Sequence, residues 1–213
     1  FLITSYYRDG TVVHDITNPN NLIEVAHYDS SPLSGDGFDG CWGTYPFLPS
    51  GNIISSDINS GNNNNGRLLV YSRDFLQACY LEGNVSDISN SNPITNATIE
   101  ILNPVLTIQT NSDLAGNYMT GIANSSSYDV IFSAPGYVSD TINASFTNGN
   151  TTIVNAQLQP LQSINISGTV VDINGTGIGG SNVLIYNSTN TYDFVTDING
   201  NYSINGFYEG NYN

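Results

Sequence analysis

Few side chains in this sequence can do covalent or metal chemistry, and they are scattered. There are two cysteines, Cys41 and Cys79, two histidines, His14 and His27, and one tryptophan, Trp42. Cys41 and Trp42 sit together in the stretch "GCWGTYPFLPSGNIISSD", residues 40–57. A thiol becomes a nucleophile only beside a base, and neither histidine has a suggestive context. Two separated histidines make no zinc site. There is no Gly-x-Ser-x-Gly elbow, no phosphate loop and no zinc-protease helix motif. No catalytic residue is assigned, and the chain is not expected to be an enzyme.

Asp-rich turns raise calcium as the one cofactor to weigh. "DINSGN" from Asp57, "DINGTG" from Asp172 and "DINGNY" from Asp197 share Asp-x-Asn with calcium-binding loops. An EF-hand loop needs Gly at its sixth position and a bidentate Glu at its twelfth. The three loops offer Asn62 and Leu68, Gly177 and Val183, and Tyr202 and Tyr208 there. The preferred reading is an Asx turn, in which the carboxylate caps backbone N–H groups. Asp57, Asp113 and Asp197 are kept as the weak calcium candidates, and no other cofactor is expected.

The elements that must position these residues follow from composition. Of 213 residues, 39% are hydrophobic and only 10% charged, where a quarter is usual. Polarity comes from Asn, Ser, Thr, Gly and Tyr, which favour turns and strands. The fold class expected is all-β. Net charge is −15, with three basic residues against eighteen acidic ones. Three cations cannot make the basic footprint that phosphates require, so no nucleic-acid partner is expected. An anionic lipid surface would repel the chain, and no apolar run is long enough to span a bilayer, so no membrane insertion is expected. "FLITSYYRDG" lacks the features of a signal peptide and reads as a strand. "NGFYEGNYN" breaks off within a pattern completed earlier. Both ends read as cut from a longer polypeptide.

Residues 1–76 form a train of six short β-favouring runs: "FLITSYY", "TVVHDIT", "LIEVAHYD", "WGTYPFL", "NIISSDI" and "RLLVYSRD". Asp-Gly, Asn-Pro and Pro-Ser-Gly separate them, and such pairs supply tight turns. Regular antiparallel strands of this kind suggest a sandwich, barrel or propeller. In a propeller blade the first strand lines the central channel, so Trp42 and Tyr45 are candidates to stack on a sugar or peptide. The competing use of Trp42 is packing between blades, and that use is preferred.

The remainder holds an internal repeat. "LEGNVSDISNSNPITNATIEIL…TNSDLAGNYMTGI" returns as "ISGTVVDINGTGIGGSNVLIY…VTDINGNYSINGF". Gly83 corresponds to Gly168, and Asp113, Gly116, Asn117 and Tyr118 correspond to Asp197, Gly200, Asn201 and Tyr202. The first copy continues through "SYDVIFSAPGY", whose alternating Tyr128, Val130 and Phe132 mark one buried face. The expected organisation is a propeller part over 1–76, a β-sandwich over 77–160 and a second, truncated sandwich over 161–213.

Two families resemble these segments. The Gly-x-Val, Thr-(x)-Asp-x-x-Gly-x-Tyr and Ala-Pro-Gly-Tyr elements of the repeat resemble the carboxypeptidase regulatory-like domain. That resemblance implies tandem transthyretin-like or immunoglobulin-like sandwiches. "SYYRDGTVVHDITNPNNLIEVAHYD" and the Cys41 stretch resemble the LVIVP-repeat β-propeller of "choice-of-anchor B" surface proteins, implying about two blades. The sequence departs from that pattern at Cys41 and in the "NNNN" that lengthens the last hairpin. The resemblance implies an extracellular, bacterial cell-surface setting of Bacteroidetes type. Its partners would be N-terminal blades and a C-terminal sorting or anchor domain of the same chain, with a surface glycan or protein as ligand. In a secreted chain two cysteines suggest a disulfide, here Cys41 to Cys79. The expected function is non-enzymatic adhesion or ligand display. The alternatives are accessory domains of a secreted hydrolase and a carbohydrate-binding module.

Overall fold

The computed structural model describes residues 1–31, 33, 35, 37–58, 66–188, 190–208 and 210–213. The described residues form eighteen β-strands and contain no helix. The fold is all-β, as composition predicts.

The six N-terminal runs become six strands in two antiparallel sheets. One has the order β1 (Leu2–Ser5), β2 (Thr11–Asp15), β3 (Ile23–Tyr28). The other has the order β4 (Cys41–Tyr45), β5 (Ile53–Asp57), β6 (Arg67–Tyr71). Each is one strand short of a four-stranded propeller blade, and six strands do not close a ring. The described residues thus form two three-stranded meanders, with no propeller closure among them. The Asn-rich tip at 59–65 lies outside the described residues.

Turn chemistry fixes the first hairpin. Gly10 has φ +77°, and a Cβ there would lie 1.9 Å from the Tyr28 carbonyl oxygen. Only glycine fits that crossing. Period-two alternation shows in β5, where Ile53, Ser55 and Asp57 are buried in turn.

The first repeat copy is a two-layer sandwich. One layer is β10 (Asn117–Ile122), β7 (Cys79–Asp87) and β13 (Thr151–Ile153), with β14 (Ala156–Leu158) also on β7. The other is β12 (Asp140–Ser145), β11 (Ser127–Ser133), β8 (Thr98–Leu102) and β9 (Ile108–Asn111). Both β13 and β14 run parallel to β7. The core holds Leu81, Val85, Ile99, Ile101, Val130, Phe132 and Leu158, all fully buried. Phe132 meets Tyr118 edge to face, with ring centroids 5.7 Å apart.

A crossing segment explains the repeat's glycine. A Cβ on Gly83 would fall 1.8 Å from the Val154 carbonyl oxygen. That same oxygen accepts the Tyr118 hydroxyl at 2.7 Å. Burial pushes the Tyr118 phenol well above its ordinary range, so it stays a donor.

The second copy supplies β15 (Ser163–Thr169) paired with β18 (Asn201–Tyr208), and β16 (Asn182–Tyr186) paired with β17 (Thr191–Val195).

Asp15 ties the N-terminal sheets to the sandwich. It ends β2, is 1% exposed, and accepts the Ala78 N–H at 2.8 Å on Oδ2. Its Oδ1 accepts the Thr17 N–H at 2.9 Å and the Thr17 hydroxyl at 2.6 Å. Burial pushes the carboxyl up, but the Thr17 and Ala78 hydrogen bonds outweigh it and hold it below the usual range. Around this tie, Ile23, Ala78 and Tyr80 form a small apolar cluster. The Asn21 side-chain amide donates to the Thr120 carbonyl at 2.9 Å.

The expected disulfide is not formed. Cys41 and Cys79 are both free, buried thiols. Cys41 lies between the N-terminal sheets, its sulfur 3.4 Å from the Thr11 hydroxyl. Cys79 belongs to the sandwich core, where burial pushes its thiol up. Each cysteine is absorbed into a different core, and an even count says nothing about that placement.

Candidate ligand-binding face

Trp42 owes its position to a fault in the β4–β5 ladder. Cys41 opposes Asp57 and Gly43 opposes Ser56, so Trp42 is the extra residue of a bulge. Bulges re-aim side chains. Trp42 is 59% exposed in the structure.

The neighbouring turn delivers a second ring. Tyr7 has φ +45°, a conformation that costs a non-glycine residue energy. It is held there from both sides: the Tyr7 N–H donates to the Cys41 carbonyl at 3.0 Å, and the Cys41 N–H donates back at 2.7 Å. The Tyr7 ring stands 5.9 Å from Trp42 and 5.2 Å from Phe38, edge to face with both. Phe38 is 77% exposed.

A cation borders the rings. Arg8 pairs with Asp39 at 2.9 Å. The hollow of about 520 Å³ beside it is lined by Tyr6, Tyr7, Arg8, Asp9 and Phe38, with Gly35 and Gly37. Aromatic faces with a fixed cation and a carboxylate suit a neutral sugar, which offers C–H faces to stack and hydroxyls to bond.

A hydroxyl network braces the face from behind. Thr11 Oγ1 lies 2.7 Å from Ser55 Oγ, and Ser55 Oγ lies 2.9 Å from Thr44 Oγ1. The first of these bonds spans the two sheets, and the second lies within the β4–β5–β6 sheet. Cys41 is the inward neighbour of Trp42 and contacts Thr11.

Tyr45 is exposed too, but its ring pairs with Phe47 at 5.7 Å. Trp42 and Tyr45 therefore sit in separate aromatic groups. The calcium candidates also stand apart. Asp57 is buried at the end of β5. Asp113 accepts the N–H groups of Ala115 and Asn117, each at 2.8 Å, and Asp197 does the same for Asn199 and Asn201. These are Asx turns. The hydrogen bond from the Asn201 N–H is the main cause holding the Asp197 carboxyl low. Among the described residues, no three His, Cys, Asp or Glu side chains gather as a metal site. His27 sits 3.5 Å from Glu24 on β3. Among the described residues, no helix is long and apolar enough to cross a membrane.

Sequence reasoning missed Tyr7, Arg8 and Phe38. The signal for Tyr7 and Arg8 lay in "YYRDG", which reads as a hairpin turn. Phe38 carried no signal beyond being aromatic.

Residues 80–159 match the Carboxypeptidase regulatory-like domain family, which covers the first repeat copy. No curated protein matches the chain. Among solved structures, a Streptococcal ancillary pilin is similar at 10% identity and TM-score 0.48, over 76% of this chain and 65% of that one. The Bacillus anthracis TIE protein is similar at 14% identity and TM-score 0.37, over 78% of this chain and 36% of that one. A minor pilin of Streptococcus agalactiae is similar at 12% identity and TM-score 0.34, over 56% of this chain and 64% of that one. The chain spans less than two thirds of the length of each. No TM-score among them reaches 0.5, so the likeness says nothing about activity or partners.

Proposed function

We propose that this chain is a non-enzymatic, extracellular display protein. Its N-terminal sheets carry a glycan-binding face, and its sandwiches act as spacers. The observation that carries the reading is the Tyr7–Phe38–Trp42 group. A bulge aims one ring outward, a strained turn holds the second, and a paired arginine stands at its border. A hydrophobic residue held exposed at a backbone cost marks an interaction site rather than a core. The low cation count and the acidic net charge of −15 favour a neutral ligand over an anionic one.

The direct test is a glycan array probed with the wild-type protein and with Trp42→Ala. Binding to a subset of glycans, lost in Trp42→Ala, is the expected result. An array that stays dark, or signals that survive the substitution, refutes the reading.

A further inference from the structure

A second hollow, of about 360 Å³, lies between the two N-terminal sheets, with residues of β2, β3, β5 and β6 around it. It shares no lining residue with the hollow beside Arg8. Val13 and Ile53, both almost fully buried, give it apolar depth. Ala26, Val70 and Phe75 add apolar wall. Two rings complete the lining: Tyr28 and Tyr71 stand 5.4 Å apart with their planes tilted by 52°.

The polar groups of this hollow are few, and one of them is unused. The Tyr71 hydroxyl oxygen is buried and has no hydrogen-bond partner among the described residues. The Thr11 and Ser55 hydroxyls lie near it but bond each other at 2.7 Å. Ser55 also bonds Thr44, and Thr11 the Cys41 sulfur, so both are engaged elsewhere. Burial pushes the Tyr71 phenol up, so at neutral pH it is a donor. A buried donor without an acceptor is destabilising, and native proteins keep few of them. Asp74 is the one carboxylate among the described lining residues, and it accepts the Ser72 hydroxyl. With a net charge of −15 on the chain, this disfavours an anion.

We infer that this hollow binds a small, neutral, flat aromatic molecule of one or two rings that carries an oxygen acceptor. The ring lies between the sheets, against Tyr28, Val13 and Ile53, and its oxygen accepts the Tyr71 hydroxyl. Ligand pockets are mostly apolar clefts of about 300–1,000 Å³ with a few placed polar groups, and this one stands at the small end of that range. Packed sheets lie about 10 Å apart, which suits a flat occupant. Aromatic rings prefer offset or edge-to-face contact, and Tyr28 and Tyr71 offer ring surface from two directions. The site is separate from the glycan-binding face, and neither reading needs the other.

The test titrates the protein with 2-naphthol and with 2-methylnaphthalene, which share a shape and differ in the oxygen. Anisotropy of the naphthalene emission reads the affinity. Saturable one-to-one binding of both is expected, with 2-naphthol about fivefold tighter, the worth of one hydrogen bond. Tyr71→Phe should abolish that preference and leave the affinity for 2-methylnaphthalene unchanged. Without a probe, Tyr71→Phe should not lower the urea midpoint, because it deletes an orphaned donor. Ala26→Leu should weaken both probes at least about tenfold by overfilling the site. Trp42→Ala should change neither affinity. No saturable binding, or binding untouched by Ala26→Leu, overturns the site. Loss of binding in Trp42→Ala places the probes on the other face and overturns it too. Equal affinity for the two probes in wild type, a preference that survives Tyr71→Phe, or a lower urea midpoint in that variant overturns the part given to the Tyr71 hydroxyl.

Discussion

Removing the Asp15 carboxylate should uncouple the N-terminal sheets from the sandwich. In Asp15→Ala, the Ala78 N–H loses its 2.8 Å acceptor at a site that is fully buried. An orphaned buried donor costs about 2 kcal/mol. The two Thr17 bonds also go, but Thr17 is exposed, so water replaces them for about 1 kcal/mol in all. The sum is about 3 kcal/mol. Asp15→Asn is milder, because the amide can turn its oxygen to Ala78 and leave its NH2 toward the exposed Thr17. It should cost about 1 kcal/mol, chiefly the lost charge assistance. Urea unfolding followed by the emission of Trp42, the chain's single tryptophan, measures both. With a slope of about 2 kcal/mol per molar, Asp15→Ala moves the midpoint by about 1.5 M. The sign with pH follows from the lowered carboxyl. The folded-state value lies below the unfolded one, so the stabilisation is complete above the unfolded value of about 3.9 and is lost as pH falls through the folded value. Wild type should lose this margin on acidification below about pH 4, and Asp15→Asn should not. An Asp15→Ala cost under about 1 kcal/mol, or an equal cost for both variants, would refute the tie.

Other perturbations separate the parts of the molecule. Tyr118→Phe removes the bond to the Val154 carbonyl and should cost about 2 kcal/mol by urea unfolding. An unchanged midpoint would mean that the crossing does not depend on it. Phe132→Ala empties a fully buried core site and should cost about 4 kcal/mol, whereas Trp42→Ala, at an exposed site, should stay within about 1 kcal/mol. The reverse order would place Trp42 in the core. Both thiols are free and buried, so a thiol reagent should titrate two groups in denaturant and almost none in the native protein. An intact mass lacking two hydrogens under non-reducing conditions would restore the disulfide.

The repeat was the most legible feature of the sequence, because its matched residues bond to one another. Gly83 and Tyr118, fixed on paper only as parts of a recurring pattern, turn out to face each other across one ladder. The six N-terminal runs were legible because turn residues bracket each of them. What the pattern could not carry was register and distance. The bulge at Trp42 is a one-residue slip between β4 and β5, and period-two reasoning assumes that no slip occurs. The fate of Cys41 and Cys79 depended on which core each strand enters, which spacing along the chain does not encode. The reason for Gly83 was hidden because the segment that crosses it lies some seventy residues downstream and runs parallel to β7.

The central claim is that the exposed rings around Trp42 form the binding face. Its most direct measurement is the emission of Trp42 during titration with a glycan that the wild-type protein captures. The ring is 59% exposed, so a sugar stacked on it should shift the emission to the blue and saturate with the binding curve. Phe38→Ala should weaken both together. Saturable glycan binding with unchanged Trp42 emission would place the site elsewhere and contradict the account.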